Sequence, residues 1–311
     1  MKTTNKFYGI TLALACGLAT TLKAQDIYVA NYGNGTVGVY GMDGSTVNAS
    51  YISGLDEPTG IAISGNDIFV ANSGNGVTGA GTIGEYTTSG TTINAALITG
   101  LTDPLGVTIS GNDLFVANWA GATVGEYTLS GATVNASLIS GLLRPTDVAI
   151  SGNDLFVPTQ GNGLIGEYTT SGATVNASLI NLGSFSTEIQ GLAISGNDLY
   201  LANGGANVIS EYTTSGATVN SSLIIGLNNP NGIAISGNDL FVANNLGNSI
   251  GEYGLDGTPI NSSLISGLDQ PYYLAFGPTP TPEPSAIALA GLGAVALWLR
   301  RRISERQPPF T

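Results

Sequence analysis

Asp113-Leu114-Phe115-Val116-Ala117-Asn118 is one of six versions of the same six-residue word, and the distance between the versions decides the fold. The others begin at Asp26, Asp67, Asp154, Asp198 and Asp239, so the spacings are 41, 46, 41, 44 and 41 residues. A repeat of that length, built of short β-type runs, is what a blade of four strands needs, and helical repeats do not fit its composition. Around the word, the copy at residues 228–268 shows its punctuation. Gly232-Ile233-Ala234-Ile235 ends at Ser236-Gly237-Asn238-Asp239, where Gly-Asn suits a two-residue hairpin turn. Asp239 to Ala243 makes the second strand and Ile250 to Tyr253 the third. The fourth, Pro259 to Ile265, is rich in Ser and Asn, as an outer edge should be to discourage pairing with other chains.

The ends of the array are complementary. The first copy begins at its second strand, and the last runs on into Tyr272-Tyr273-Leu274-Ala275-Phe276, a first strand with no copy of its own. Laid beside Asp26 to Ala30 it completes blade 1 from residues 26–54 and 272–276 and closes a ring without open edges. The expected fold is all-β: a six-bladed β-propeller of four-stranded blades over residues 25–277.

Outside the ring, Lys2 and Lys6 precede an apolar run from Phe7 to Leu18, and Ala24 follows, the order of a cleavable secretory signal over residues 1–24. Cys16, the one cysteine, reads as a small apolar residue of that signal; the alternative is a lipidated cysteine. Residues 278–285 are a proline-rich linker, Ala286 to Leu299 an apolar run, and Arg300, Arg301 and Arg302 a basic cluster, followed by a tail at 303–311 read as cytoplasmic. Fourteen residues at about 1.5 Å each make a helix of roughly 21 Å, short for a ~30 Å bilayer core.

Charge excludes several functions. Between Gln25 and Pro280 stand twelve Asp and seven Glu against the single cation Arg144, a net of 1 − 19 = −18. Such a surface repels phosphate backbones, so no nucleic-acid partner is expected. Histidine is absent, which removes Ser-His-Asp chemistry and imidazole metal ligands. No cofactor is required; calcium, which takes oxygen ligands, remains possible.

Repeats also show where the copies disagree. Two or three places before each predicted inner strand stand Glu57, Asp103, Arg144, Glu188, Asn229 and Gln270, six polar residues in loops expected to ring one mouth of the central channel. Asp147 replaces the Gly found at Gly60, Gly106, Gly191 and Gly232, and Pro158-Thr159 replaces Ala-Asn. Trp119, Phe185 and Tyr272 add aromatic surface on the same face. Carboxylates beside flat rings suit carbohydrate or calcium. Glu57, Asp147, Asn118 and Asn203 are the candidate metal ligands, and Arg144 a candidate for orienting a ligand. Two uniform sets read as scaffold instead: Glu85, Glu126, Glu167, Glu211 and Glu252 of the word Glu-Tyr, and the strand-end Asn31, Asn72, Asn118, Asn203 and Asn244, expected to cap the following turn through side-chain to backbone bonds.

Two resemblances extend this reading. The Pro-x-Gly-Ile-Ala-Ile pattern, the turn, the Leu-Phe-Val-Ala-Asn strand and the later aliphatic-aromatic strand resemble NHL-type six-bladed propellers. The short first turn and the Asn ending of the second strand depart from that family, whose RNA-binding roles are not carried over. The C-terminus resembles the PEP-CTERM sorting signal: Pro282, Glu283 and Pro284 match its motif, Ala286 to Leu299 its helix, and Arg300 to Arg302 its cluster. That resemblance implies recognition by an exosortase, transient membrane anchoring, and delivery to the surface or exopolysaccharide matrix of a Gram-negative bacterium. The expected function is therefore a non-enzymatic binding or scaffold protein of the cell surface or matrix. The alternative resembles calcium-dependent six-bladed lactonases.

Overall fold

The computed structural model describes residues 25–74, 76–183 and 188–280. The signal sequence, the Pro-Glu-Pro motif, the apolar run and the basic cluster lie outside the described residues, as does Phe185. Six separate four-stranded antiparallel sheets form the six blades. In blade 2 the strands, lettered a to d from the channel outward, are Pro58–Ser64, Asp67–Asn72, Gly81–Thr87 and Thr92–Leu101. Blade 1 takes strands b, c and d from Gln25–Asn31, Thr36–Gly41 and Thr46–Ser53, and strand a from Pro271–Pro278. The closing pair is antiparallel, with Ile27 opposite Phe276 and Val29 opposite Leu274. The ring is therefore latched by strands from the two ends of the repeat array, as the leftover strand at 272–276 leads one to expect.

Local chemistry explains the hairpins. Ser64 pairs with Asp67, leaving Gly65-Asn66 as the whole a-to-b turn, and Gly65 sits at φ +60 while Asn66 does not have positive φ. A positive φ at the first central residue alone is the type II′ turn, which matches strand twist and which glycine adopts freely. The outer strand protects itself differently. Its pairing with strand c shifts register at Asn135, whose Oδ1 accepts the backbone N–H of Ser137 at 3.1 Å, and each of the other five blades repeats this local bond. A bulge of that kind bends the edge away from pairing partners.

The core is divided into six layers, each between neighbouring blades. In one, Phe69, Ala71, Ile83 and Ile98 of blade 2 meet Leu114, Val116 and Tyr127 of blade 3. The strand-c tyrosine of each blade packs into the layer it shares with the preceding blade, as Tyr86 does with blade 1 and Tyr40 with blade 6. Each blade is thus needed by two layers, and burial at roughly 25 cal/mol per Å² of apolar surface holds the ring as one unit. Nearest the axis the inner strands approach one another at glycine: a Cβ on Gly60 would lie 2.3 Å from the Leu105 carbonyl oxygen.

Candidate functional site

Five of the six variable residues immediately precede their inner strands, four of which begin at a proline earlier than the apolar pattern alone suggests; Arg144 precedes Pro145 but stands five positions before the shortened strand Ala149–Ser151. Five of the six share an unusual backbone: Glu57, Asp103, Arg144, Asn229 and Gln270 have φ between 51° and 59°. A left-handed residue other than glycine costs roughly 1–2 kcal/mol. It is offset by a bond repeated around the ring. The carbonyls of Glu57, Asp103, Arg144, Glu188, Asn229 and Gln270 accept the backbone N–H of Ser73, Trp119, Gln160, Gly204, Asn245 and Tyr32 at 2.8–3.2 Å. The d-to-a and b-to-c loops are thereby stitched together on one face. That backbone bond is constant, so the variation lies in the side chains. The second partner in each bond also varies from blade to blade, and this ring escaped the sequence reading apart from Trp119. The signal that could have found it is the position one residue past the repeated strand-b word.

Five blades contribute to a cup on this face. A cavity of about 430 Å³ is lined by Tyr32 and Tyr272 of blade 1, Glu57 and Ser73 of blade 2, Asp103, Leu105 and Trp119 of blade 3, with Gln160 and Gln190 completing it. Ser73 donates through Oγ to Glu57 Oε2 at 3.0 Å, and the Trp119 indole N–H donates to Gln160 Oε1 at 2.9 Å. Arg144 lies over Trp119, its guanidinium carbon 4.6 Å from the ring centre, a cation–π stack. The rings of Tyr32 and Tyr272 lie 5.7 Å apart at 36°. Electrostatics in the cup are negative. Burial, then the Glu57 charge, raises the Asp103 carboxyl above its ordinary value. Tyr32 is pushed up to about 12 by burial and by its hydrogen bond to Glu57.

Below the cup the channel is plugged. Tyr273 stands where four other blades have glycine, and its hydroxyl crosses from blade 1 to the opposite blade 4, donating to the Thr146 carbonyl at 3.0 Å with the Gln190 carbonyl at 3.4 Å. Asp147 occupies the corresponding position of blade 4. It does not join the mouth: it is 7 % exposed, with Oδ1 accepting from Val148 N–H at 2.8 Å and Oδ2 from Leu192 N–H at 2.9 Å. Burial, opposed by those two bonds, raises its pKa to about 7. Strand a of blade 4 is cut to Ala149–Ser151 around this residue, with only an isolated bridge between Pro145 and Thr159 before it.

The remaining candidates sit on the far side of the mouth. Glu188 accepts from the Asn229 amide at 3.1 Å, and the backbone N–H groups of Asn229 and Gln270 donate to Asn207 and Asn248. The strand-end asparagines divide into two kinds. Asn31, Asn72 and Asn118 donate to a threonine hydroxyl across the b-to-c turn, whereas Asn203 and Asn244 accept from backbone N–H groups. Of these five, Asn203 alone caps the following turn as expected; Asn244 instead accepts from Asn228 of the preceding d-to-a loop, and in the other three a threonine is near enough to take the place of the backbone. Among the described residues, no group of three Asp or Glu side chains is arranged to hold a metal ion. The repeated glutamates lie away from the mouth on strand c, opposite the strand-b aromatic, as Glu126 is opposite Phe115; burial and then Asp113 raise the Glu126 carboxyl.

A ring of repeated backbone bonds, variable loops and a plugged axis defines a six-bladed β-propeller with an open cup on one face. Residues 280–302 match the PEP-CTERM protein-sorting motif. That motif implies export, processing by an exosortase and transient membrane anchoring in a Gram-negative bacterium. Among curated proteins the sequence finds no match. Solved structures share the fold: a nidogen/laminin complex (14 % identity, TM-score 0.66, covering 83 % of this chain and 100 % of that one), and a putative 6-phosphogluconolactonase from Bacteroides fragilis (14 %, 0.61, 83 % and 99 %). Virginiamycin B lyase from Staphylococcus aureus, in an inactive form with quinupristin, is a third (18 %, 0.57, 78 % and 86 %). At such identities the likeness is one of architecture.

Proposed function

We propose that this exported propeller is a non-enzymatic binding and scaffold protein of the cell surface or extracellular matrix, and that it meets a surface polymer such as exopolysaccharide at the cup. The observation that carries this reading is the contrast at the mouth: a backbone bond constant through six blades presents side chains that differ in each. Selection on stability alone has no need of that contrast. The plug of Tyr273 makes the cup a dead end, suited to holding part of a polymer rather than passing it through. The lactonase-like alternative calls for oxygen ligands converging on the axis, where Tyr273 and the doubly bonded Asp147 now stand. Retention of the full-length chain on immobilised matrix polysaccharide tests the proposal. Trp119→Ala, at the cup, should reduce retention at least tenfold, and Glu167→Gln, on strand c away from the mouth, should leave it unchanged. Equal retention of both variants and the parent would refute binding at this face.

A further inference from the structure

The cup is rich in acceptors and poor in charge of the opposite sign. Glu57 and Asp103 both line it, and the one cation of the region 25–280, Arg144, is stacked on Trp119. Asp103 has burial and the Glu57 charge working against its ionisation. A separate observation concerns the amide of Gln190. This side chain lines the same cavity, is 7 % exposed, and leaves Oε1 without a hydrogen-bond partner. A buried acceptor left unused is costly, so the site lacks a donor that an occupant can bring.

Two carboxylates, an unpaired amide oxygen and a pair of tyrosine rings ask for a ligand that is positively charged, carries N–H donors and has an apolar face. A cation between carboxylates gains Coulomb energy in a partly desolvated site, and tyrosine faces attract cations and the C–H surface of a sugar ring alike. A net charge of −18 over this region repels an acidic polysaccharide. The six ring carbonyls already accept a bond from the neighbouring loops, so they offer a peptide strand a poor backbone ladder. The cavity, about 430 Å³, lies within the usual range of roughly 300–1,000 Å³ for small-ligand sites.

We propose that the cup binds an amino sugar through its free ammonium group, held by Glu57 and Asp103 and donating to Gln190 Oε1, with Tyr32 and Tyr272 as the walls. This rests on the reading of the mouth as the binding face and adds the chemistry of the unit it recognises. The test is calorimetric titration of the full-length chain in mild detergent with four probes: glucosamine, N-acetylglucosamine, glucose and lysine. Glucosamine should bind at least tenfold more tightly than the other three. Glu57→Gln and Asp103→Asn, tested singly so that a folding defect in one does not decide the matter, should each weaken glucosamine by about tenfold and shrink its advantage over glucose. Melting curves of both variants should stay close to the parent. Equal affinity for glucosamine and N-acetylglucosamine, lost together in Trp119→Ala, would overturn the ammonium assignment and leave the mouth intact as a binding face. Lysine binding as tightly as glucosamine would overturn the sugar. Glucosamine affinity indifferent to Trp119→Ala and to both carboxylate variants would remove the mouth reading as well, and absence of glucosamine binding would overturn the inference directly.

Discussion

Asp147 makes stability depend on pH in a direction opposite to that of an ion-paired carboxylate. Its folded-state pKa of about 7, against an ordinary 3.8, means that the folded chain holds this proton more tightly than the unfolded chain. Stability contributed by the neutral carboxyl is therefore complete below about pH 4, declines as pH rises, and is lost once pH passes 7. At 1.36 kcal/mol per tenfold in affinity for the proton, the full change is roughly 4 kcal/mol. The perturbation that isolates it is Asp147→Asn, nearly isosteric and without a titration. Asparagine also turns an NH₂ toward either Val148 N–H or Leu192 N–H, which costs about 1–3 kcal/mol at every pH and cancels when two pH values are compared. Other acids with raised values, such as Asp26, Asp103 and Glu126, are common to both proteins and cancel too. The assay is urea unfolding of parent and variant at pH 4.5 and 8.0, followed by fluorescence. The stability difference, parent minus variant, should be more positive at pH 4.5 by about 3–4 kcal/mol. A difference constant to within about 1 kcal/mol would refute the burial argument, because it would mean that this carboxyl ionises as readily inside the channel as in the unfolded chain.

Tyr273→Phe keeps the plug and removes its hydroxyl bond to Thr146; a loss of about 1–2 kcal/mol should lower the melting temperature by roughly 2–8 °C, and an unchanged melting curve would show that the cross-channel bond adds nothing. Gly60→Ala places a methyl 2.3 Å from the Leu105 carbonyl, and differential scanning calorimetry should show a loss of about 1–3 kcal/mol from overpacking of the inner strands. Deleting residues 271–278 removes a strand that contributes Tyr273 and Leu274 to two core layers, and the product should aggregate or melt far below the parent; a normal melt would mean that the ring closes elsewhere. Truncation after Pro280 removes the sorting motif, and fractionation of cells should find a folded propeller in the medium; a chain still bound to cells would show that another element anchors it.

Several features of the fold were legible because they are local or periodic. The type II′ turn needs only Gly65-Asn66 between two apolar runs, and closure follows from counting strands at the two ends of the array. Part of the mouth was legible for the same reason: comparison of the copies singles out Glu57, Asp103, Arg144, Glu188, Asn229 and Gln270, and backbone bonds bring their loops to one face. The fate of Asp147 was not. Its replacement of glycine marks it as special, yet only the packed channel shows that both oxygens are spent on backbone N–H groups. Arg144, read as a cation among acids, rests on Trp119, a contact between blades 4 and 3 that local sequence does not encode.

By itself, then, the sequence determined the number of blades, the order of strands within each, the closing strand, the sign of the surface charge and the sorting motif. All of these depend on composition, on short-range turn chemistry or on a period that repeats along one chain. Only the tertiary structure decided that the channel is blocked by Tyr273 reaching across 127 positions to Thr146, that the cup draws its lining from blades 1 to 5, and that the buried Gln190 oxygen is left without a donor. Those facts arise where different blades converge on one axis, so burial and partner there are set by the ring and not by any stretch of chain within it.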